Sequence, residues 1–322
     1  MNFEFSEEQH LLRDQARAFL AEFCPTDTVR AVLDSDNEWD HALWQRVAEM
    51  GWTATVIPEA YGGLGLSHYE LAILAEEMGR SVAPLPFSSS VYLASEAILT
   101  FGSEGQKSEW LPKLASGECV GTIAMWERPG ALALEQLATR RLGDTVNGVK
   151  SPVPDAGVAD VVVVLAHSDA GLEACLVPMD QAGVQQQSVM TLDGSRGHST
   201  LTLDNAQAEI LGHNTIEPSA WQRLIDGAAV MFAWEQLGVA ESALTQARDY
   251  ALQRFAFGRA IGSYQAIKHK LAAMYVKNTL ARSNAYYGVW ALAENSADLP
   301  LAAATARVAG IQAAAFAAEE NI

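Results

Sequence analysis

The chain has 322 residues, of which 49% are hydrophobic and 19% charged, a composition typical of a packed globular protein rather than a disordered one. Its formal net charge of -18 at pH 7 and the lack of a basic stripe in the sequence argue against nucleic-acid binding. A phosphorylated ligand would therefore have to be held by a few local arginines, lysines or helix N-termini.

The sequence predicts a cytoplasmic protein without a metal site. Cys24, Cys119 and Cys175 are far apart, with neither metal-ligand spacing nor a disulfide pattern, which fits a reducing compartment. The N-terminus is acidic and lacks the regions of a signal peptide. No run of 18 apolar residues is present, so we expect no membrane-spanning segment. The seven histidines show no metal or triad spacing.

The first third of the chain has the apolar spacing of helices. The predicted helices cover residues 5–23, 39–51, 69–79 and 89–101. The first opens with Ser6 and two glutamates, a typical helix start, and Gly79 and Gly102 are expected as C-terminal stops. We predict an N-terminal all-α domain over residues 1–119.

From residue 120 the pattern changes to short apolar runs separated by turn residues, which is typical of strands. The runs cover residues 120–126, 161–166, 174–178 and 199–203. The step from Asn147 to Gly148 predicts a tight hairpin turn between two strands. We predict a small antiparallel, barrel-like β domain over residues 120–213.

Helical spacing returns at Pro218, with apolar residues three and four apart through residues 237–251. A second long helix is predicted over residues 267–293, and an alanine-rich helix begins near Leu301. We predict an antiparallel helical bundle over residues 214–322, and such bundles often bury the seam of a dimer or tetramer. The expected fold class is α+β, in the order helical domain, β domain, helical bundle.

The connection between the two long helices has an unusual composition. Residues 254–265, R-F-A-F-G-R-A-I-G-S-Y-Q, place a guanidinium, an aromatic–glycine corner and a carboxamide together, which suits a cofactor with a pyrophosphate and a heteroaromatic base. The segment resembles the flavin-binding segment of the acyl-CoA dehydrogenase family. Residues 58–65, 76–80 and 102–118 resemble further motifs of that family, in the same order. The resemblance covers nearly the whole chain.

The resemblance implies α,β-dehydrogenation of an acyl-CoA thioester with FAD as cofactor and an electron-transfer flavoprotein as partner. In that reaction a carboxylate removes the α proton, which the thioester acidifies, and the β hydrogen leaves as hydride to flavin N5. The cofactor carries the redox chemistry and the protein supplies orientation. Oxidases and desulfinases share the fold, so these activities remain open alternatives.

Roles for individual residues follow from the same resemblance. Arg254 is expected to reach the FAD pyrophosphate of a neighbouring subunit, while Phe257 and Gln265 line the adenine half of the site. Arg259 and Lys268 could assist with phosphate. Without the resemblance, the residues allow an alternative: Arg254 is an exposed arginine at a helix end, and Gln265 caps the next helix.

Two further segments depart from the family pattern. Met125 and Trp126 stand in the L-T-E-P-G-x-G-S-D segment that wraps the flavin and pantetheine, where Trp126 replaces the threonine. Trp126 would stack on the flavin or belong to the β-domain core. Pro152 and Pro154 replace the tryptophan and the hydroxyl residue of K-x-W-I-T-N-A, and they have no N–H to donate. This variant resembles branches that handle bulky acyl chains such as steroid side chains.

The usual catalytic base is not found in the sequence. In most of the family it is a glutamate beyond the last residue here, Ile322, so we expect this sequence to be a piece of a longer protein. The isovaleryl branch carries its glutamate early in the long helix, where this chain has Ala228. Glu235, about two turns further on the same face, is the candidate base, with a buried structural glutamate as the alternative.

Three hypotheses for the function follow. The first is an FAD-dependent acyl-CoA dehydrogenase that forms a homo- or hetero-oligomer. The second is a base-deficient partner subunit of a hetero-oligomeric acyl-CoA dehydrogenase, which the altered segments and Ala228 favour. The third is a non-enzymatic helical scaffold, against which residues 254–265 argue because they keep the flavin-binding pattern.

Overall fold

The computed structural model describes residues 5–35, 39–130, 132, 134–212 and 215–322. Helices fill its first and last parts and strands its middle, which confirms the predicted α+β class. The helices before the sheet are α1 (Glu7–Phe23), α2 (Thr26–Leu33), α3 (His41–Glu49), α4 (His68–Ser81), α5 (Glu96–Phe101) and α6 (Glu104–Ala115). In α1, α4 and α6 a serine and a residue three positions later cap each other's backbone, which fixes where these helices begin.

Glycines in this part of the chain do not all end helices. Gly79 lies inside α4, which continues to Ser81 and ends at Val82 in the left-handed conformation (φ 49°), so its prediction as a stop was wrong. Gly102 does follow the last residue of α5. Between α4 and α5 the buried segment Ser88–Ser95 is a π-helix, a wider turn that the apolar spacing did not distinguish from an α-helix.

The strands form one sheet in the order β6-β7-β3-β2-β4-β5-β8, with β1 also paired to β4. They are β1 (Gly121–Ala124), β2 (Arg140–Leu142), β3 (Thr145–Pro154), β4 (Val161–Ser168), β5 (Gly171–Pro178), β6 (Val184–Ser188), β7 (His198–Gln207) and β8 (Glu209–Ile210). Most neighbours pair antiparallel, as predicted, but β1 and β2 run parallel to β4. Long connections separate both of them from β4 in the chain, and parallel pairing requires such connections.

The predicted hairpin turn at Asn147 and Gly148 was wrong, because both residues lie inside β3. The turn comes earlier, where Leu142 pairs with Thr145 and Gly143 has a positive φ of 60°. At Gly148 the pairing of β3 with β7 shifts, and a Cβ there would lie 2.5 Å from Thr139 Oγ1. The glycine therefore serves a bulge and a close approach, not a turn.

The last part of the chain is helical. It contains α7 (Pro218–Gln253), a two-stranded hairpin of β9 (Phe255–Ala256) and β10 (Arg259–Ala260), α8 (Gln265–Ala293) and α9 (Leu299–Asn321). By length and composition alone, α9 could cross a membrane, and 33% of its most apolar window is buried in the protein. The buried residues of α9 are mostly alanines, and small side chains let helices pack closely.

The chain forms two compact units, which are described separately. One, the helical unit, comprises Met1–Asp27, Ser67–Ala83 and Asp226–Ile322, and therefore joins α1 and α4 to the C-terminal helices. The other, the sheet unit, comprises Thr28–Leu66 and Pro84–Ile225. The predicted domain boundaries, 1–119, 120–213 and 214–322, stay a prediction.

Within the helical unit, α4 and α7 cross at two glycines. A Cβ on Gly79 would lie 1.9 Å from the carbonyl oxygen of Glu235, and one on Gly238 would lie 1.9 Å from that of Glu76. Next to this crossing, Arg282 of α8 binds the carboxylate of Glu76 through two nitrogens, at 2.7 and 3.1 Å. The crossing therefore needs residues without side chains, and the bidentate ion pair joins α8 to it.

Candidate functional site

Met125 and Trp126 follow β1 in the sheet unit and are held against β3. The amide of Ser151 donates to the carbonyl of Trp126 at 2.8 Å, and Lys150 Nζ lies 3.4 Å from the carbonyl of Met125. Met125 is buried, whereas Trp126 is partly exposed. The structure thus brings Met125 and Trp126 beside the start of the Pro152–Pro154 segment.

The carboxylate of Glu127, the next residue in the chain, accepts several hydrogen bonds. Its carboxylate accepts hydrogen bonds from the amide of Ala138 (2.7 Å) and from the amide and hydroxyl of Thr139 (2.8 and 2.7 Å). Lys150 Nζ lies 3.2 Å from the same carboxylate and its side chain is fully buried. One carboxylate therefore ties the residues after β1, the residues before β2 and the middle of β3 together.

The surroundings of this ion pair shift both groups. Burial raises the pKa of Glu127, but the hydrogen bonds from Ala138 and Thr139 and the charge of Lys150 outweigh it and hold the pKa at about 2. Burial lowers the pKa of Lys150 to about 8, against the attraction of Glu127. The pair is therefore charged at neutral pH.

Pro152 and Pro154 lie where β3 loses its regular pairing. The register between β3 and β7 shifts between Lys150 and Val153, as expected where a proline cannot donate to the ladder. The carbonyl of Pro154 accepts the hydroxyl of Thr122 at 2.5 Å, and both prolines are partly exposed. These residues offer a ligand apolar surface and carbonyl oxygens.

Arg254, Phe257 and Gln265 lie in the helical unit, on and beside the β9–β10 hairpin. Arg254 is the first residue after α7, Gln265 is the first residue of α8, and both are exposed. The N-cap residue of α8 is Tyr264, so Gln265 does not cap that helix. Among the described residues, Arg254 forms no salt bridge with an aspartate or a glutamate. Its guanidinium is therefore open to a ligand.

The hairpin itself is braced from within. Tyr264 Oη donates to the carbonyl of Ala256 at 3.0 Å, and the guanidinium of Arg259 lies over the Tyr264 ring, 3.9 Å from its centre. Phe257, at the tip, is 97% exposed and has a positive φ of 51°. A bulky residue in this conformation is strained, and such outliers cluster at functional sites.

The candidate base Glu235 lies in α7 with an exposed fraction of 7%, and Ala228 is buried in the same helix. Glu235 interacts electrostatically with Arg307 of α9, whose guanidinium also lies over the ring of Phe232 at 5.3 Å. Burial lowers the pKa of Arg307, and the charge of Glu235 opposes that shift. These contacts fit the reading of Glu235 as a structural residue.

In the part of the chain that the structure describes, the other side chains that could bind a metal or act as nucleophiles show no sign of either role. Within the described ranges, no group of three or more His, Cys, Asp or Glu could hold a metal ion. Burial raises the pKa of Cys119 and of Cys175 to about 12, so neither thiol ionises readily.

The sequence analysis missed the pair of Lys150 and Glu127. The signal was a lysine in a strand whose inward positions are otherwise valines, since Val146, Lys150 and Val153 are the buried residues of β3. A lysine at such a position is almost never fully buried without a partner.

Comparisons with known proteins identify the family. The model of the acyl-CoA dehydrogenase N-terminal domain matches residues 6–118, and that of the C-terminal domain matches residues 219–322. Acyl-CoA dehydrogenase IpdE2 of Mycobacterium tuberculosis is 33% identical over 317 residues, which cover 98% of this chain and 84% of that protein. The chain belongs to the acyl-CoA dehydrogenase family.

Two solved structures share the fold over nearly the whole chain. A chain of the Tcur3481–Tcur3483 steroid ACAD variant is 30% identical with a TM-score of 0.87, and the match covers 98% of this chain and 86% of that one. A chain of the ChsE4–ChsE5 complex from Mycobacterium tuberculosis is 25% identical with a TM-score of 0.90, covering 100% and 87%. These matches agree with the order of helices and strands described above.

The family is FAD-dependent, and the protein is an FAD-dependent enzyme of the acyl-CoA dehydrogenase class. Its residues fit that cofactor. Arg254 offers an exposed charge for a pyrophosphate, and a Cβ on Gly258, beside the exposed Phe257, would meet no atom within 4 Å. The tip of the hairpin is therefore open to a ring that stacks on Phe257.

Proposed function

We propose that the protein catalyses α,β-dehydrogenation of an acyl-CoA thioester, with an electron-transfer flavoprotein as electron acceptor, in the cytoplasm. The observation that carries the proposal is the braced β9–β10 hairpin, which holds an exposed arginine and an exposed aromatic ring next to the first residue of α8. When bound, FAD would act as the hydride acceptor.

The residues of the hairpin bind the cofactor. Arg254 pairs with the pyrophosphate of the FAD of a neighbouring subunit, since a guanidinium makes charge-assisted hydrogen bonds to two oxygens at once. Phe257 and Gln265 contact the adenine half, one by stacking and the other through its carboxamide. Because the hairpin is braced by the contacts of Tyr264 with Ala256 and Arg259, we expect little ordering entropy to be lost on binding.

The flavin ring of the FAD that this chain binds contacts residues of the sheet unit. Met125, Trp126, Pro152 and Pro154 give it an aromatic and apolar surface in place of the usual hydroxyl donors. The side chains of Met125 and Trp126 would lie along the flavin ring system and exclude water from the reacting bond. Exclusion of water strengthens electrostatic interactions there. The remaining polar contacts come from backbone groups.

Bulky acyl chains are the substrate class that fits these substitutions. Pro152 and Pro154 replace the tryptophan and the hydroxyl residue of one family motif, and Trp126 replaces the threonine of another. One of the similar solved structures is named a steroid ACAD. We infer a substrate with a branched or polycyclic acyl group.

An anaerobic titration with a panel of acyl-CoAs tests the activity. The protein is loaded with FAD, and the visible flavin absorption is followed as straight-chain, branched and steroid-derived thioesters are added. Loss of this absorption with one thioester class supports dehydrogenation and identifies the substrate. A protein that binds no FAD, even after FAD is added, would refute the proposal.

A second candidate is a base-deficient subunit that acts with a related partner chain. Ala228 stands where one branch has its glutamate, and Glu235 interacts with Arg307. One of the similar structures is a complex of two differently named proteins, ChsE4 and ChsE5. If this candidate is right, the flavin absorption of the protein alone persists with every thioester. When the protein is co-purified with a homologous chain, addition of a thioester then removes that absorption, which distinguishes this candidate from the first.

A Glu235→Gln variant separates the two readings of Glu235. If Glu235 is structural, the variant binds FAD and loses its flavin absorption with substrate as fast as the wild type does. If Glu235 is the base, FAD still binds but the absorption persists, because an amide cannot accept the α proton. Ser242→Ala is the control, because it changes a side chain of the same helix without the loss of a charge. This variant should behave as the wild type does.

A further inference from the structure

Lys150 is a charged residue at a core position. Its neighbours in the inward row of β3 are Val146 and Val153, and its side chain is fully buried. A buried charge costs free energy unless it is paired, and a hydrophobic residue would fill such a position with no such cost. The lysine is therefore explained by what it binds rather than by packing.

What Lys150 binds is the segment of Met125, Trp126 and Glu127. Its Nζ lies within reach of the carbonyl of Met125 and the carboxylate of Glu127, and the next amide, that of Ser151, donates to the carbonyl of Trp126. The backbone of all three residues of the segment is thus fixed, directly or through a side chain, to two consecutive residues of β3.

Glu127 extends the attachment to a third stretch of chain. Its carboxylate also accepts the amides of Ala138 and Thr139, and the hydroxyl of the fully buried Thr139. The carbonyl of Thr139 in turn accepts the amide of His167 in β4 at 3.0 Å. The segment therefore cannot move without breaking bonds to β3 and to the residues that enter β2.

We propose that Lys150 and Glu127 are positioning residues that hold Met125 and Trp126 in the conformation that meets the flavin. The inference rests on the proposed function, in which those two side chains contact the cofactor. Neither Lys150 nor Glu127 has to touch the flavin in this role. Removal of either should leave the cofactor site formed but loose, so that FAD binds more weakly.

The sheet unit contains a matched control pair. Arg141 of β2 binds the carboxylate of Glu173 in β5, and the Glu173 side chain is 2% exposed. The described contacts of Arg141 and Glu173 do not include residues 125–127. Loss of this pair should cost stability in the same unit without an effect on the segment that holds Met125 and Trp126.

The test compares Lys150→Met, Glu127→Gln and their double variant with Glu173→Gln. We expect each of the first two to weaken FAD binding about tenfold, a change of about 1.4 kcal/mol, and to alter the flavin absorption spectrum. The double variant should be no weaker than the worse single one, since both remove one connection. Glu173→Gln should keep the wild-type affinity for FAD and the wild-type spectrum.

Hydrogen exchange of the FAD-free proteins gives an independent readout. The amides of Ser151, Ala138 and Thr139 should exchange faster in Lys150→Met and Glu127→Gln, and at the wild-type rate in Glu173→Gln. Glu127→Gln keeps the shape of the side chain, so it reports even if Lys150→Met does not fold. Circular dichroism verifies folding of each variant.

Two results would overturn the inference. One is wild-type FAD affinity and spectrum in a folded Glu127→Gln protein. The other is a loss of affinity in Glu173→Gln equal to that in Lys150→Met, which would mean that general loosening of the sheet unit, and not the segment, weakens binding. A wild-type protein that binds no FAD refutes the proposed function itself, and the positioning role with it.

Discussion

At the scale of single residues, Glu127 should make the protein sensitive to acid. The pKa of its carboxyl, about 2, lies below its ordinary value of 4.5, so its contribution to stability is present above pH 4.5 and is lost as the pH falls towards 2. Urea unfolding between pH 3 and pH 7 should show a smaller drop in stability for Glu127→Gln than for the wild type. An equal drop in both proteins would contradict the assignment.

The surface control for that comparison is Glu22→Gln, because Glu22 is exposed in α1 and the change removes the same charge. Exposed charges contribute little to stability and are screened by salt. The Glu22→Gln protein should therefore lose stability with acid as the wild type does.

Replacement of Phe257 is expected to raise the stability of the FAD-free protein and to weaken FAD binding. Its positive φ is unfavourable for a side chain with a Cβ and costs nothing for glycine, so Phe257→Gly should stabilise the FAD-free protein by about 0.5–1 kcal/mol. The same change removes the exposed ring and should weaken FAD binding about tenfold, since stacked aromatic pairs contribute about 1 kcal/mol beyond buried area.

Thermal unfolding and FAD titration of Phe257→Gly, beside Phe257→Asn, measure the two effects. Asparagine tolerates the left-handed conformation but has no ring. Both variants should bind FAD weakly. Wild-type affinity in the glycine variant would mean that the ring does not contact the cofactor.

At the scale of elements, the crossing of α4 and α7 depends on Gly79. A Cβ there would overlap the carbonyl oxygen of Glu235 at 1.9 Å, so Gly79→Ala must push two helix backbones apart. The expected loss of stability is about 1–3 kcal/mol or more, although alanine favours the helix by about 1 kcal/mol. Chemical denaturation measures it.

Gly105→Ala in α6 is the matched control for Gly79→Ala. A Cβ on Gly105 would meet only Ser103 Oγ, at 3.9 Å, so the change should be neutral or slightly stabilising through helix propensity. Equal stability of the Gly79→Ala and wild-type proteins would show that α4 and α7 can separate at no cost.

Local signals in the sequence predicted which elements form, but not every contact between them. Apolar spacing, together with the helix start at Ser6, places most helices within a few residues, because both signals act within one helix. The roles of Gly79 and Gly148 depend on a backbone that is distant in sequence, so rules for stops and turns misread both. The resemblance predicted Arg254, Phe257 and Gln265 as site residues, and their roles stay predictions.

The pair of Lys150 and Glu127 shows the same limit for the site. The two residues are 23 positions apart, and only the pairing of strands brings their side chains together. The sequence indicated an odd lysine in an apolar strand, but the partner needed the sheet. Charged pairs that position a site are therefore harder to predict than the motif residues beside them.

At the scale of the whole molecule, the prediction concerns assembly. Neighbouring helices α8 and α9 expose apolar side chains as large as those they bury. The exposed residues are Tyr275, Val276, Leu280, Leu301, Val308 and Ile311. Several large apolar side chains exposed on two neighbouring helices are typical of an interface with a protein or a membrane. The length and apolar composition of α9 alone do not distinguish the two.

An interface with another protein chain explains the composition better, because charged residues remain on the same helices. Lys270 of α8 pairs with Glu320 of α9, and Lys277 lies over the ring of Phe316 at 5.0 Å. Such groups are costly inside a lipid bilayer but are common at the rim of a protein interface. We therefore expect a dimer or tetramer in solution, formed with copies of this chain or with a related chain.

Sedimentation of the wild type and of Leu280→Glu and Val308→Glu tests this expectation. A buried, unpaired carboxylate at an interface is strongly unfavourable, so each variant should shift the wild-type oligomer to lower mass while its helix content stays the same. Leu11→Glu, which changes an exposed leucine of α1, should keep the wild-type mass. A wild type that is monomeric with every tested partner, or that needs detergent to stay in solution, would place this apolar surface against something other than a subunit.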